Sequence, residues 1–366
     1  MNLVEMGRND LLAPLQAVLG AVEQRHTLPI LSNALLELGG HALAITASDA
    51  SMEISVTVPA RYSGEVRTLT APLRKLVAIL RELPADAPVA LELRSTRLRI
   101  SSKDATFNLQ TLPATDFPRM NAPTDVAAEI TLPTGELKRL LTLTSFAMAS
   151  QDIRQFLNGA LVCLRDGTLA VVATDTIRLA SASYAVNDAA TRFSVILPRR
   201  AIIELGKLLP GTDDPVTVRV LQNQAEFRFG GVTLVTALLE GTFPSYGRVI
   251  PSNCERRLRV DRQRLLRALQ RVGVLVGKLG GVRWSVTDAR LTLAAANDQT
   301  EDAVETLAVH CTGGDIDFGY NIRYHLDALA AVESPQVECA IGPGGVMLIT
   351  LADRPDYRYC VMPMRM

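Results

Sequence analysis

The chain has 366 residues, with 38 Lys+Arg against 38 Asp+Glu and a formal net charge of zero. That balance excludes a histone-like or ribosomal binder, which is strongly basic, and an acidic disordered tail. Hydrophobic residues at 48% and charged residues at 21% are globular proportions, so the chain is expected to fold.

The first residues do not predict a leader. Glu5, Arg8 and Asp10 interrupt the apolar run that a secretory signal needs. No stretch approaches the roughly 18 apolar residues of a membrane span. A helical pattern runs over Asn9–Val22. Leu43–Asp49 alternates apolar and small residues up to an Asp, as a half-buried strand does before a turn. Ala71–Leu80 predicts an amphipathic helix, with Pro72 where a missing N–H costs little. Arg97–Ser101 and Thr106–Gln110 read as a hairpin across a short polar turn.

The same succession then returns twice. Thr134–Ala149 is helical, Leu169–Asp175 is a strand, and Leu197–Gly206 is a helix with Pro198 near its start. Asp261–Val276, Leu291–Asn297 and Gly319–Ala328 repeat the order. The strand segments lie 126 and 122 residues apart, and Phe117-Pro118 returns as Phe243-Pro244 at 126. Such units are too long for a solenoid repeat of about 20–50 residues, so each is expected to be a domain. Single cores stop growing near roughly 250–300 residues, which agrees with several domains. The proline-bearing connectors Arg119–Ala128 and Gly247–Arg256 divide the chain into residues 1–125, 126–252 and 253–366. The expected class is α+β, with two helices on one face of an antiparallel sheet in each of three domains.

Charge is not spread evenly over this pattern. Arg74, Lys75 and Arg81 mark the second helix of the first repeat, and Arg199, Arg200 and Lys207 that of the second. The third has Arg323 and His325 there. Lys138, Arg139, Arg262, Arg264, Arg267 and Arg271 lie on first helices, while Asp298, Glu301, Asp302 and Glu305 gather outside them. One basic helix reads most simply as a solvated face. Recurrence in three repeats favours a track that binds phosphates without reading sequence.

Catalytic patterns are missing. Gly273–Lys278 is one residue short of a phosphate-binding GxxxxGK[ST] loop and lacks its Ser/Thr, and there is no GxSxG, HExxH or GxGxxG. Asp49 and Asp175 suit Asx turns better than acid–base work, because Asn297 stands at the third equivalent place. Gly342-Pro-Gly-Gly345 reads as a hairpin turn. The cysteines Cys163, Cys254, Cys311, Cys339 and Cys360 and the four histidines have no metal-ligand spacing, so no cofactor and no metal are expected, and the thiols are expected to be reduced.

Certain segments carry a resemblance. Thr27–Asn33 (TLPILSN), Gln151–Arg154 with Leu157-Asn-Gly159, Val172–Asp175 with Arg178-Leu-Ala180, Phe243–Tyr246 with Arg248-Val249, and Val361–Arg365 are similar to the bacterial replicative sliding clamp family, the beta subunit of DNA polymerase III. The resemblance runs end to end. It implies a DNA clamp fold and a head-to-tail homodimer forming a ring that encircles duplex DNA. It further implies a non-catalytic processivity factor, cytoplasmic and nucleoid-associated, with no membrane partner. The implied DNA-facing residues are Arg25, Arg74, Gln151, Arg199 and Arg200. The implied pocket takes short peptide motifs of the replicative polymerase, the clamp loader and repair polymerases. It comprises Leu157, Thr174, Arg178, Leu179, Pro244, Arg248, Val249, Val346, Val361, Met362, Pro363 and Met364, between the second and third domains. Taken alone, Val361–Met364 reads equally as a buried edge strand. The implied dimer contact sets Phe107 and Leu109 against Val274 and Leu275, with Arg97, Arg99 and Lys103 facing Glu301, Asp302 and Glu305. The chain departs from the family where Gly-His is common, with Thr176-Ile177 after Asp175, and this motivates an alternative: a specialised second clamp copy with altered drug or partner specificity. An enzyme built on the same scaffold is the other alternative, and the lack of a shared polar constellation stands against it.

Overall fold

The computed structural model describes residues 2–22, 28–60, 65–120 and 125–366. The first repeat runs β1 (Asn2–Gly7), α1 (Arg8–Val18), β2 (Asn33–Gly39), β3 (Ala42–Ser48), β4 (Met52–Pro59), β5 (Arg67–Pro72), α2 (Leu73–Glu82), β6 (Pro88–Arg94), β7 (Arg97–Ser102) and β8 (Ala105–Gln110). The second runs β9 (Val126–Pro133), α3 (Thr134–Thr144), β10 (Gly159–Arg165), β11 (Thr168–Thr174), β12 (Arg178–Ala185), β13 (Phe193–Pro198), α4 (Arg199–Leu208), β14 (Pro215–Leu221), β15 (Gln224–Phe229) and β16 (Val232–Ala237). The third runs β17 (Arg256–Asp261), α5 (Arg262–Val272), β18 (Gly281–Thr287), β19 (Arg290–Ala296), β20 (Asp302–Ala308), a short β21 (His310–Thr312), β22 (Ile316–Asn321), α6 (Ile322–Ala331), β23 (Gln336–Ile341), β24 (Met347–Leu351) and β25 (Arg354–Val361). Each repeat is therefore a strand, a helix and three strands, written twice, with the short β21 as an addition in the third.

The residues form two compact units. One holds the chain up to Gly135 together with Ile203–Leu238, and the other holds Glu136–Ile202 with Leu239–Met366. The first unit contains a four-stranded sheet, β1-β6-β7-β8, and an eight-stranded one, β5-β2-β3-β4-β16-β15-β14-β9. The second contains a nine-stranded sheet, β13-β10-β11-β12-β25-β24-β23-β17-β21, and a four-stranded one, β20-β19-β18-β22. The α+β class and the antiparallel pairing are as expected. The single sheet expected per domain is not found: each repeat divides its strands between two sheets. Two of these quartets also meet edge to edge in each long sheet, β4 against β16 and β12 against β25. The reason is that a quartet leaves its last strand with unpaired N–H and C=O groups, and pairing with a neighbour removes that exposed edge.

Within the first unit, α1 packs on β3, β4 and α2. Leu11, Leu15 and Val18 recur at helical spacing and are fully buried, as are Leu73, Leu76 and Leu80 of α2. In the second unit α5 lays Leu265, Ala268, Leu269 and Val272 against β19, β20 and α6. Each buried leucine is worth about 1.5–3 kcal/mol.

Helix ends differ from the sequence expectation for identifiable reasons. The first helices stop several residues early and tighten into 3-10 turns at Leu19–Ala21, Ser145–Ala147 and Gly273–Leu275, which satisfies some terminal carbonyls. The second helices start two or three residues late. Pro72 and Pro198 still belong to β5 and β13, opposite Asn33 and Gly159. Both strands are sheet edges, where a missing donor is tolerated. In the third repeat Asn321 replaces the proline and caps α6, its side chain accepting from the Arg323 N–H.

Some expected basic-face residues are structural. Arg262 donates from Nε to the Ser334 carbonyl oxygen (3.1 Å) and from Nη1 to that of Leu329 (3.0 Å), closing the end of α6. Arg8 does the same for α2, through the carbonyls of Leu80 (2.7 Å) and Arg81 (2.9 Å). Arg271 is paired with Glu305 (3.0 Å). Arg264 and Arg267 remain exposed on α5. Among the described residues no helix is long and apolar enough to cross a membrane.

Candidate functional site

The turn acids do what their positions suggested. Asp49 Oδ1 accepts from the N–H groups of Ser51 and Met52, at 2.8 and 2.7 Å. Asp175 Oδ1 accepts from those of Ile177 (3.1 Å) and Arg178 (2.9 Å). Asn297 Oδ1 takes those of Gln299 and Glu301, at 2.9 and 3.1 Å. These are Asx turns in all three repeats. Gly342–Gly345 likewise forms a turn between the paired strands β23 and β24.

In the second unit, the turn after β11 and the end of β25 build an apolar cleft. It is lined by Thr174, Thr176, Ile177, Arg178, Leu179, Val249, Val346, Cys360, Val361 and Met362. Seven of the twelve expected pocket residues are among them. Val361 is not on an edge strand: it sits between Arg178 of β12 and Met347 of β24 and is fully buried. Met362 and Val249 are exposed at 42% and 49%, so the cleft opens to solvent through apolar side chains. Its floor continues into a cluster of Leu161, Val172, Leu179, Ile196 and Cys360, against which half-buried Phe156, Phe243, Tyr246, Ile250 and Leu348 pack. Of the expected residues outside the lining, Leu157 is fully buried in the 3-10 turn Gln155–Leu157. Arg248 lies on the turn Tyr246–Arg248, and Met364 bridges to Gly319. Pro244 and Pro363 are beyond the lining of this cleft. Phe243 and Tyr246 lie in a segment that carries the family resemblance but are not among the expected pocket residues. The recurrence of Phe-Pro at the 126-residue spacing was the signal available.

Thr176 is unusual in this turn. Its φ is +78°, in the left-handed region that a β-branched residue disfavours. Its N–H donates to Thr174 Oγ1 (3.0 Å), which in turn donates to the Arg178 carbonyl oxygen (2.6 Å). Such a residue costs about 1–3 kcal/mol, and glycine adds back about 0.4–1 kcal/mol of unfolded-state entropy. Thr176→Gly is therefore expected to stabilise the second unit by about 1 kcal/mol in chemical denaturation. Glycine keeps the N–H that donates to Thr174, so a loss of stability would show that the strain relieved is smaller than the unfolded-state entropy that glycine adds.

Arg178 stands between this cleft and a second, polar cavity. Its Nε donates to Asp175 Oδ2 (3.0 Å) and its Nη1 to Asp327 Oδ2 (2.7 Å). Its guanidinium lies 4.4 Å from the Tyr324 ring centroid and 5.7 Å from that of Phe146. Burial works against its charge, but the bond to Asp327 and the fields of Tyr359, Asp175 and Asp327 more than offset it and raise its pKa above the ordinary value. The polar cavity holds about 630 Å³, and its walls include Phe146, Gln151, Asp175, Arg178, Arg199, Arg323, Tyr324 and Asp327. Two of the expected DNA-facing residues, Gln151 and Arg199, thus share one cavity. Gln151 is exposed with φ +61°, a second non-glycine in the left-handed region.

The remaining expected residues lie elsewhere. Arg74 is exposed on α2 and donates to the Val22 carbonyl oxygen (3.0 Å). Arg200 is half-buried on α4. Arg25, with His26 and Thr27 beside it, lies outside the described residues. Phe107 and Leu109 are half-buried on β8, an edge strand. Val274, exposed at 78%, and Leu275 lie on the 3-10 turn after α5. Glu305, expected to face another copy, is held by Arg271. All five cysteines are free thiols, with Cys339 and Cys360 buried.

Comparison with known proteins gives consistent relatives. Residues 2–121, 131–245 and 247–365 match the N-terminal, central and C-terminal domains of the DNA polymerase III beta subunit family. The chain is 37% identical over 362 residues to the beta sliding clamp of Pseudomonas aeruginosa, covering 98% of each. It is 36% identical to that of Escherichia coli, again over 98% of each. Among solved structures, a Pseudomonas aeruginosa sliding clamp bound to griselimycin superposes with a TM-score of 0.94 at 36% identity, over 99% of each chain. Caulobacter crescentus pol III beta superposes at 0.90 with 34% identity, over the whole of both.

Proposed function

We propose, since the chain belongs to the DNA polymerase III beta subunit family, that it forms a head-to-tail homodimeric ring around duplex DNA. The chain is a non-catalytic processivity factor, and in this reading it tethers the replicative polymerase, the clamp loader and repair polymerases in the cytoplasm. The three clamp domains are residues 1–125, 126–252 and 253–366. Gln151, Arg199, Arg200, Arg74 and Arg25 face DNA. The cleft at Leu179, Val361 and Met362 receives short peptides, through apolar contacts that exclude water and a polar rim.

One observation carries the ring. β4 of the first repeat pairs with β16 of the second, and β12 of the second pairs with β25 of the third. Repeat equivalence makes β20 the third member of the series β4, β12, and makes β8 the third member of the series β16, β25. Both β8 and β20 are sheet edges. The rule is completed when β8 of one copy meets β20 of the next, a heterologous contact that closes if its rotation permits. Registered on the β4–β16 pair, Phe107 falls opposite Ala303 and Leu109 opposite Glu301. The turn bearing Val274 and Leu275 packs against β19 of the same sheet, so it borders that joint.

Light scattering should give twice the 39.6 kDa chain mass, and Leu109→Asp should give the chain mass alone. The dimer should stay on nicked circular DNA and leave linear DNA through its ends. Equal retention on both would sink topological binding. For the cleft, a Val361→Ala, Met364→Ala double variant should lose affinity for a partner peptide in a titration, and undiminished affinity would misplace the pocket.

A further inference from the structure

We infer that Arg323 is a further DNA contact, forming with Arg199 and Gln151 a seat for a backbone phosphate at the polar cavity of the second unit. This rests on the clamp reading above. Arg199 opens α4 and Arg323 is the second residue of α6, and both line the cavity with Gln151. Three carboxylates also line it, and each already has an arginine. Asp152 accepts from Arg154 Nε (3.0 Å), Asp175 from Arg178 Nε (3.0 Å), and Asp327 from Arg178 Nη1 (2.7 Å). Arg199 Nη1 donates to the Met148 carbonyl oxygen (3.1 Å). Among the described residues no carboxylate pairs with Arg199 or Arg323.

The cavity therefore offers donors to solvent while its own anions are occupied. Guanidinium N–H groups match the oxygens of a phosphodiester, and an amide adds a neutral donor beside them. Arg323 and Gln151 are exposed, so the seat is open to a large polyanion. A volume of about 630 Å³ accommodates a phosphate with its flanking sugars. An acidic peptide is the competing occupant. The walls favour DNA, because they are dominated by charged and polar groups, whereas the apolar anchoring surface lies in the separate cleft at Leu179 and Val361.

The test uses the full-length protein and a short fluorescent duplex, with affinity measured across a salt series. Arg323→Ala should weaken binding at low salt and reduce the slope of log affinity against log salt by about 0.9, the loss of one phosphate contact. Arg323→Lys should keep the slope. Arg323→Gln serves as a second neutral variant should the alanine form melt early. An Arg323→Ala slope equal to wild type, beside a reduced slope for Arg199→Ala, overturns the inference and leaves the clamp reading standing. Weakened peptide affinity with an unchanged DNA slope also overturns it, and assigns the cavity to a peptide. A wild-type protein without salt-dependent duplex affinity overturns the clamp reading itself, and this inference with it.

Discussion

Replacing Arg178 by alanine is expected to destabilise the second unit by about 3 kcal/mol. The Arg178 side chain is 9% exposed and is held by Asp175 and Asp327, whose side chains are 17% and 32% exposed. Removing it leaves two partly buried carboxylates facing each other without their cation. It also removes the stacking on Tyr324, worth about 0.5–2 kcal/mol in its own right. Part of the loss is recovered because water reaches Asp327, which keeps the expected value at the low end for a broken buried pair. Peptide affinity should fall with it, since Arg178 lines the cleft and its Nε holds the carboxylate of the Asp175 turn. Arg178→Lys keeps the charge but offers no planar fork, and it should restore less than half of the stability. Chemical denaturation checks the first effect and peptide titration the second. A change below about 1 kcal/mol would mean that the two ion pairs behave as exposed ones.

His325 sets the second large effect. It is fully buried on α6 between Trp284 (ring centroids 4.7 Å apart) and Tyr320 (5.3 Å), and neither ring nitrogen has a hydrogen-bond partner. Burial pulls its pKa from 6.5 down to about 3. The folded protein therefore holds His325 neutral over a range where the unfolded chain takes up a proton. Stability is complete above about pH 6.5 and falls as pH drops toward 3. Each pKa unit is worth about 1.4 kcal/mol, so the loss between pH 6.5 and 4 is about 3 kcal/mol. His325→Phe keeps an aromatic ring there and removes both the proton linkage and two unpartnered polar atoms. The wild-type and variant stabilities should diverge steadily below pH 6.5 in urea titrations, with the variant the more stable in acid. Parallel curves from pH 7 to 4 would show that His325 is protonated in the folded state.

The parts of this molecule that sequence reveals are those set by local chemistry. The hairpin at β7 and β8, the strands before Asp49, Asp175 and Asn297, and the turns those residues cap all follow from alternation and Asx geometry within a few positions. The same local chemistry places β11, its turn and β12 in succession, but only the family resemblance marks them as part of a binding cleft. What was hidden depends on pairings across long separations. Arg178 finds Asp327 149 residues away, and nothing near either predicts the other. Arg262 looks like a solvated helix charge until the end of α6 comes beside it. The division of each repeat between two sheets was also hidden, because period-two patterning says which face of a strand is buried and not which strand lies next to it.

The joints at β4–β16 and β12–β25 bear on how such a chain can be dissected. The sequence repeats are not separable modules. A fragment ending at residue 252 keeps β12 and loses β25, which lays open the backbone of a strand from the middle of a nine-stranded sheet. A fragment beginning at residue 126 does the same to β16 by removing β4. Freshly exposed edges of this kind template association with other chains. The molecule thus resembles an arrested polymer of one four-stranded element. Its growth rule is edge complementarity, and any cut at a repeat boundary restores a sticky end.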